Sequence, residues 1–302
     1  MNEQAWPPIP LDEWQDTYGT FHMWTQIVGK VRLRSTPWVN HSWHATLYVT
    51  PRGLTTAAMP HGEASFQLDF DLVDHQLVVQ KNDGAVFRMQ LESQTVADFY
   101  ADLMDALRRM NLEVRIHGKP NEVENPIPFA KDTIHRSYDA DRVNRFWRVL
   151  VQSDRVLRTF RGGFIGKCSP VHLFFGALDL AVTRFSGRRA PLHPGGIPNL
   201  PDSVTQEAYS HEVSSCGFWP GGGPVAYPAY YSYAYPEPAD FANARVRPAE
   251  AFYSQDLKEF ILPYDAVRKA SDPDAMLLAF LQSTYEAAAD LARWNRAELE
   301  KP

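Results

Sequence analysis

Ten histidines are spread along this chain of 302 residues. Four of them, His41, His44, His172 and His211, fall at the start of, or within, segments that alternate like strands. Neutral imidazole is a good ligand for zinc, iron or copper, and a carboxylate can complete the shell. His44, His172 and His211 are therefore candidate ligands for a divalent transition metal, or candidate acid–base groups. A metal held there would activate water or dioxygen, or polarise a carbonyl. The plainer reading is that these rings cap strands or bond buried carbonyls. Strand alternation restricts the combinations: His211 and Glu212 should face opposite sides, whereas Glu207, His211 and Ser215 share one parity.

A second set of residues suits a small-molecule ligand. Tyr227, Tyr231, Tyr233 and Tyr235 share a parity, with Tyr230 on the other. A face of phenols is apolar yet able to hydrogen-bond, which fits stacking on a sugar or an aromatic ligand; a sheet face under a helix would select similar residues. Trp219 stands just before it, in Phe218-Trp219-Pro220-Gly221-Gly222-Gly223. Arg52 at a turn and Arg184 in a basic run could grip an anionic group through forked hydrogen bonds, or could simply be solvated. On the first helix, Tyr18, His22, Gln26 and Lys30 recur at four-residue steps. Such a row offers hydrogen bonds to a cleft, or forms the half-exposed flank of an amphipathic helix.

Familiar motifs fail on their details. Gly162-Gly163-Phe164-Ile165-Gly166-Lys167-Cys168 is one residue short of a phosphate loop and has Cys where Ser or Thr should bind magnesium. His211-Glu212-Val213-Ser214-Ser215 lacks the second histidine of a zinc-protease helix. Two cysteines, Cys168 and Cys216, cannot make a disulfide scaffold or a four-thiolate zinc site.

These residues need elements to hold them. Trp14, Tyr18, Phe21, Trp24, Val28 and Val31 form one stripe and predict a helix over 11–33. Alternation predicts strands over 43–50 and 65–72, and Asn82-Asp83-Gly84 predicts a hairpin between 75–80 and 86–91. A helix over 95–110 follows, and then a connector over 118–137 carrying Pro120, Pro126 and Pro128. The pattern restarts with a helix over 139–160, strands over 172–175 and 177–185, and a Pro- and Gly-rich insertion over 186–205. Strands over 207–215, 227–235 and 260–262 and a helix over 274–296 close the chain.

The order suggests a repeat. The first helices start 127 residues apart, at 12 and 139, and His44 and His172 lie 128 apart. Glu63-Ala64-Ser65 is echoed by Glu207-Ala208-Tyr209. The expectation is an α+β fold of two related helix–antiparallel-sheet–helix units, 1–117 and 138–302, packed face to face around a shared cleft. His44 and His172 would then occupy corresponding places in it.

Composition narrows the classes. The chain is 44% hydrophobic and 22% charged, enough to build a core, and 30 basic against 36 acidic residues disfavour a nucleic-acid binder. No stretch reaches the ~18–20 apolar residues of a membrane helix, and Met1-Asn2-Glu3-Gln4-Ala5-Trp6-Pro7-Pro8 lacks an apolar leader core, so a cytoplasmic location is expected.

Several segments carry a wider likeness. They are Trp14-Gln15-Asp16-Thr17, Trp24-Thr25-Gln26-Ile27-Val28-Gly29-Lys30, Asn40-His41-Ser42-Trp43-His44, Gly166-Lys167-Cys168-Ser169-Pro170-Val171-His172 and Tyr209-Ser210-His211-Glu212-Val213. Through them the chain resembles, over essentially its whole length, an uncharacterised bacterial family of roughly 300-residue proteins known as a domain of unknown function. The resemblance implies no activity. The side chains themselves point to an enzyme acting on a small organic substrate, or to a non-catalytic binder using the tyrosine face.

Overall fold

The computed structural model describes residues 5–222 and 225–301; Met1–Gln4 of the N-terminal stretch and Gly223 of the glycine run lie outside them. The first half consists of α1 (Gln15–Ser35), β1 (Thr46–Thr50), β2 (Gly53–Thr55), β3 (Met59–His61), β4 (Ala64–Asp71), β5 (Gln76–Lys81), β6 (Val86–Gln90) and α2 (Val96–Arg109). The second half begins with α3 (Ala140–Gly162), β7 (His172–Phe174), β8 (Asp179–Arg189), α4 (Asp202–Ala208) and β9 (His211–Trp219). It ends with β10 (Ala229–Tyr235), β11 (Phe252–Ser254), β12 (Glu259–Pro263), α5 (Tyr264–Lys269), α6 (Pro273–Leu291) and α7 (Arg296–Leu299). Among the described residues, no helix is long and apolar enough to cross a membrane.

The fold is α+β, built on one twelve-stranded antiparallel sheet ordered β11-β12-β10-β9-β8-β7-β1-β2-β4-β5-β6, with β3 paired to β4. The two halves meet edge to edge. Thr46 pairs with Phe174 and Leu47 with Leu173, so β1 and β7 form the centre and the other strands of each half add outward, in chain order except that β12 lies inside β11 and β3 stands off the path. This corrects the expectation of two units facing one another across a cleft. A short edge strand of each half is thus paired, over two residues, with that of the other.

Helices cover one face. Trp24 of α1 stacks on Phe99 of α2 with ring centres 4.7 Å apart, and one apolar cluster runs from Trp6 to Trp294 through both halves. Side-chain caps set three helix starts. Thr95 accepts from the Asp98 amide at 3.0 Å, Asp139 from Arg142 at 3.1 Å and Asp272 from Ala275 at 3.0 Å.

Three local departures matter for function. The strand expected over 43–50 starts at Thr46, because His41 and Ser42 adopt left-handed backbone angles, φ 60° and 56°, inside a helical turn over Asn40–Ala45. Two consecutive non-glycine residues in that region store strain that surrounding contacts must hold. The inserted loop is shorter than 186–205, since β8 continues to Arg189 and α4 starts at Asp202. Glu207 consequently lies on α4 and does not share a strand with His211, and its echo with Glu63 joins a helix end to a turn.

Candidate functional site

Alternation along the second-half strands divides their side chains between two faces. Leu180, Val182 and Arg184 are buried on the helix-covered side. Asp179, Ala181, Thr183 and Phe185 point to the other, where they join Val213 and Ser215 of β9 and Tyr231 and Tyr233 of β10. That face is roofed by α4, residues 197–201, residues 38–45 and the connector at Asn121–Glu122. A cavity of about 970 Å³ remains beneath the roof. Its size and aromatic lining suit a small organic molecule.

The floor is polar. Tyr231 donates to Asp179 Oδ2 at 2.5 Å, and the Tyr209 and Tyr233 hydroxyls share a 2.7 Å bond. Burial pushes Asp179 up to about 6, with the bond from Tyr231 opposing the rise. Enclosure by protein, with the Asp179 charge, pushes Glu122 up to about 7, partly opposed by Lys30. Glu259 of β12 rises to about 7 for the same two reasons. Burial lowers Lys30 to about 8. Glu122 nonetheless opens on the cavity, and its carboxyl rests on Gly176, where a Cβ would come 1.8 Å from Oε1. A glycine at the β7–β8 turn is thus required by this close approach.

The row on α1 is half-buried at Tyr18 and His22 and buried beyond them. Gln26 and Lys30 are buried. Gln26 clamps Asn121, donating to its carbonyl at 2.7 Å and accepting from its amide at 3.0 Å, and Lys30 donates to the Asn121 side chain. His22 Nε2 bonds the Gly176 carbonyl at 2.7 Å, and burial holds this imidazole below its ordinary value. Asn121 in turn donates to the Asn199 carbonyl at 2.6 Å, and the Glu122 amide to Pro198 at 3.1 Å. The row therefore fixes the connector and the β7–β8 turn, and through them the position of Glu122.

At the rim, the His41 amide donates to both Glu207 carboxylate oxygens at 2.8 Å, and His41 Nδ1 donates to the Ala208 carbonyl at 2.9 Å. This leaves His41 Nε2 to accept from Lys167 Nζ at 2.7 Å. Lys167 lies over the Phe185 and Trp43 rings, 4.8 and 5.4 Å from their centres. These contacts hold the strained turn at His41–Ser42. No reading of the sequence singled out Asp179, Glu122 or the His41–Lys167–Glu207 cluster. For Asp179 the signal was its parity with Thr183 and Ala181; for Glu122 there was none, since it sits in a loop.

The three histidines expected to bind a metal have separate fates. His44 lines the cavity, its Nδ1 lying 3.2 Å from the Val39 amide, which donates to it, and 3.0 Å from the Val39 carbonyl. His172 is fully buried, its Nδ1 3.3 Å from the Thr46 hydroxyl, and burial with the Arg32 charge lowers it to about 3. His211 sits at the rim, with Nδ1 3.1 Å from Ser210 Oγ and its ring 6.0 Å from that of His41. Among the described residues, no group of three or more His, Cys, Asp or Glu is placed to hold a metal ion, which corrects the expected metal centre. The edge-to-edge joining seals His172 at the β1–β7 seam and leaves it out of the cavity lining.

Of the proposed ligand-binding residues, Tyr231 and Tyr233 lie together in the cavity. Trp219 is on the same face but packs with Ala229, Tyr231 and Ile261 beside it. Arg52 is at the surface, paired with Asp71 and Asp74 at 2.7 Å. Arg184 points away: its guanidinium bonds the Phe160 carbonyl and stacks 3.5 Å from the Phe160 ring and 4.2 Å from Tyr285. The odd–even rule puts it across the sheet from Thr183. Arg184→Met should accordingly leave affinity for any cavity ligand within about twofold, a ΔΔG under ~0.5 kcal/mol by titration calorimetry. A tenfold loss would put the guanidinium in the site.

No match was found among the curated proteins or the solved structures. A model of a family of unknown function, DUF5996, matches residues 6–301, and the chain belongs to that family.

Proposed function

We propose that this protein is an enzyme that binds a small organic substrate in the cavity on β8, β9 and β10 and moves protons on it through Asp179 and Glu122. One observation carries this reading. Two carboxyls held near neutral pH by their surroundings open on the same aromatic-walled hollow, one of them bonded by a phenol at 2.5 Å. Carboxyls with values near the working pH are suited to give and take protons, and such groups gather at active sites. Tyr231 orients Asp179, and the α1 row with Gly176 orients Glu122. The roof narrows the access of bulk water to them.

The cavity draws on both halves, since Lys30 and residues 38–45 come from the first and the strands from the second. The outward succession of strands on either side of the β1–β7 pair supports descent of the two halves from one unit. The net charge of −6 and two free cysteines support a cytoplasmic setting without nucleic acid.

A second reading, a non-catalytic binder, is favoured by Tyr231 and Tyr233, whose rings stack with centres 6.1 Å apart along one wall. Incubating the protein with a pooled small-molecule extract and following each compound by mass spectrometry separates the two. The enzyme reading expects one compound to be consumed and a new one to appear. A compound that raises the melting temperature while remaining unchanged would establish the binder instead.

A further inference from the structure

We propose that the cavity takes a small organic cation, an ammonium whose charged nitrogen lies beside Asp179 and Glu122 and whose apolar part lies against the aromatic wall. This rests on the reading of the cavity as the ligand site. Charge balance points to it first. Asp179 and Glu122 open on the cavity, and Glu259 stands on the same face of β12, two residues before Ile261, the partner of Tyr231. Among the described residues lining the cavity, Lys30 is the one lysine or arginine, and it is tied to Asn121. Of the other groups near the carboxyls, burial keeps His22 neutral and the phenols of Tyr209, Tyr231 and Tyr233 are held protonated, while His41, His44 and His117 line the cavity as well and Lys167 sits behind the Trp43 and Phe185 rings. Glu207 is spent on the His41 amide. The floor thus sets Asp179, Glu122 and Glu259 against the one charge of Lys30, and an ammonium would supply further countercharge.

The wall supplies the second argument. Trp43, Phe174, Phe175 and Phe185 line it, and three of these rings already attract the protein's own cations. Lys30 Nζ lies 6.0 Å from the centre of Phe175, and Lys167 Nζ sits over Trp43 and Phe185. Aromatic faces of this kind favour ammonium ligands. A third observation is independent of charge. Thr205, on the α4 wall and 2% exposed, has a hydroxyl with no protein partner, leaving a hydrogen bond for a polar group of the guest.

Three probes of matched shape and different charge test this: 2-phenylethylamine, 2-phenylethanol and 3-phenylpropionate, titrated calorimetrically into the full chain at about pH 6.5. The amine should bind at least about tenfold tighter than either other probe, a difference of ~1.4 kcal/mol. Its ammonium should also draw protons off the carboxyls, so its apparent enthalpy should change with the buffer's ionisation enthalpy, and that of the alcohol should not. Asp179→Asn or Glu122→Gln should reduce the preference to under about threefold, with folding checked by melting temperature. Equal or tighter binding of the alcohol or carboxylate, no amine binding at about 10 mM, or no proton release from the wild-type chain would each overturn the inference. Consumption of a neutral or anionic compound that depends on Asp179 would overturn this inference alone. A clear ammonium preference without turnover of any compound would overturn the enzyme reading and leave this one standing.

Discussion

Replacing Gly217 by alanine is expected to cost about 3 kcal/mol of stability or more, and to break the bond between Tyr231 and Asp179. Gly217 lies in the middle of β9, between Ala181 of β8 and Tyr231 of β10. A Cβ there would come 2.1 Å from the Leu180 carbonyl oxygen and 2.7 Å from Tyr231 Oη. The first contact is with backbone in a central strand, which cannot yield without disturbing the ladder on both sides. The second is with the phenol that lies flat across the glycine to reach Asp179. The absent side chain is therefore what lets a residue on β10 bond one on β8, two strands away. Urea unfolding of the Gly217→Ala variant would measure the cost. A loss under about 1 kcal/mol would show that the strands can part easily here, contrary to this packing.

The second large effect is expected at Asp179. With a substrate in hand, Asp179→Asn should lower turnover by about 10²- to 10⁴-fold, the usual share of a positioned acid–base group. Tyr231→Phe should lower it less, because the carboxyl remains. Stability offers a check that needs no substrate. The folded state raises Asp179 from its ordinary 3.8 to about 6, so it holds the proton more tightly than the unfolded chain does. Wild-type stability from this group is thus greatest below about pH 4 and is lost as pH rises to about 6, where the buried carboxylate forms. The gap amounts to roughly 3 kcal/mol at ~1.36 kcal/mol per pH unit, and water in the cavity should reduce it to about 2. The neutral asparagine has no such penalty. Asp179→Asn should therefore gain about 2 kcal/mol on the wild type between about pH 4 and pH 8, by urea unfolding at each pH. A constant difference would mean that Asp179 titrates normally and is not poised for proton transfer.

Much of the local structure was legible because it rests on near neighbours. The stripe through Trp14, Phe21 and Trp24, the Asn82-Asp83-Gly84 turn and the Asp272-Pro273 start each act within a few residues. The α1 helix, the β5–β6 hairpin and α6 appear close to where they were expected. Errors fell where distant contacts overrule local preference. Trp43, His44 and Ala45 would begin an alternating strand, but Glu207 and Ala208, more than 160 residues on, hold the backbone before them, at His41, left-handed. Glu207 would extend β9, but the roof over the cavity makes it the end of α4.

The amino-acid order alone determined the four long helices α1, α2, α3 and α6, most strands, the α+β class and, through odd–even spacing, that Tyr231 and Tyr233 face away from Tyr230. Those properties depend on backbone geometry and side-chain size at short range. Tertiary structure alone decided that β1 joins β7 at their edges, that His172 is shut inside the seam, and that a loop carboxyl, Glu122, faces a strand carboxyl, Asp179. These outcomes come from residues 50 to 150 positions apart that meet only once the sheet closes. Whether a carboxyl is solvated or enclosed, and hence where it titrates, is set by that meeting.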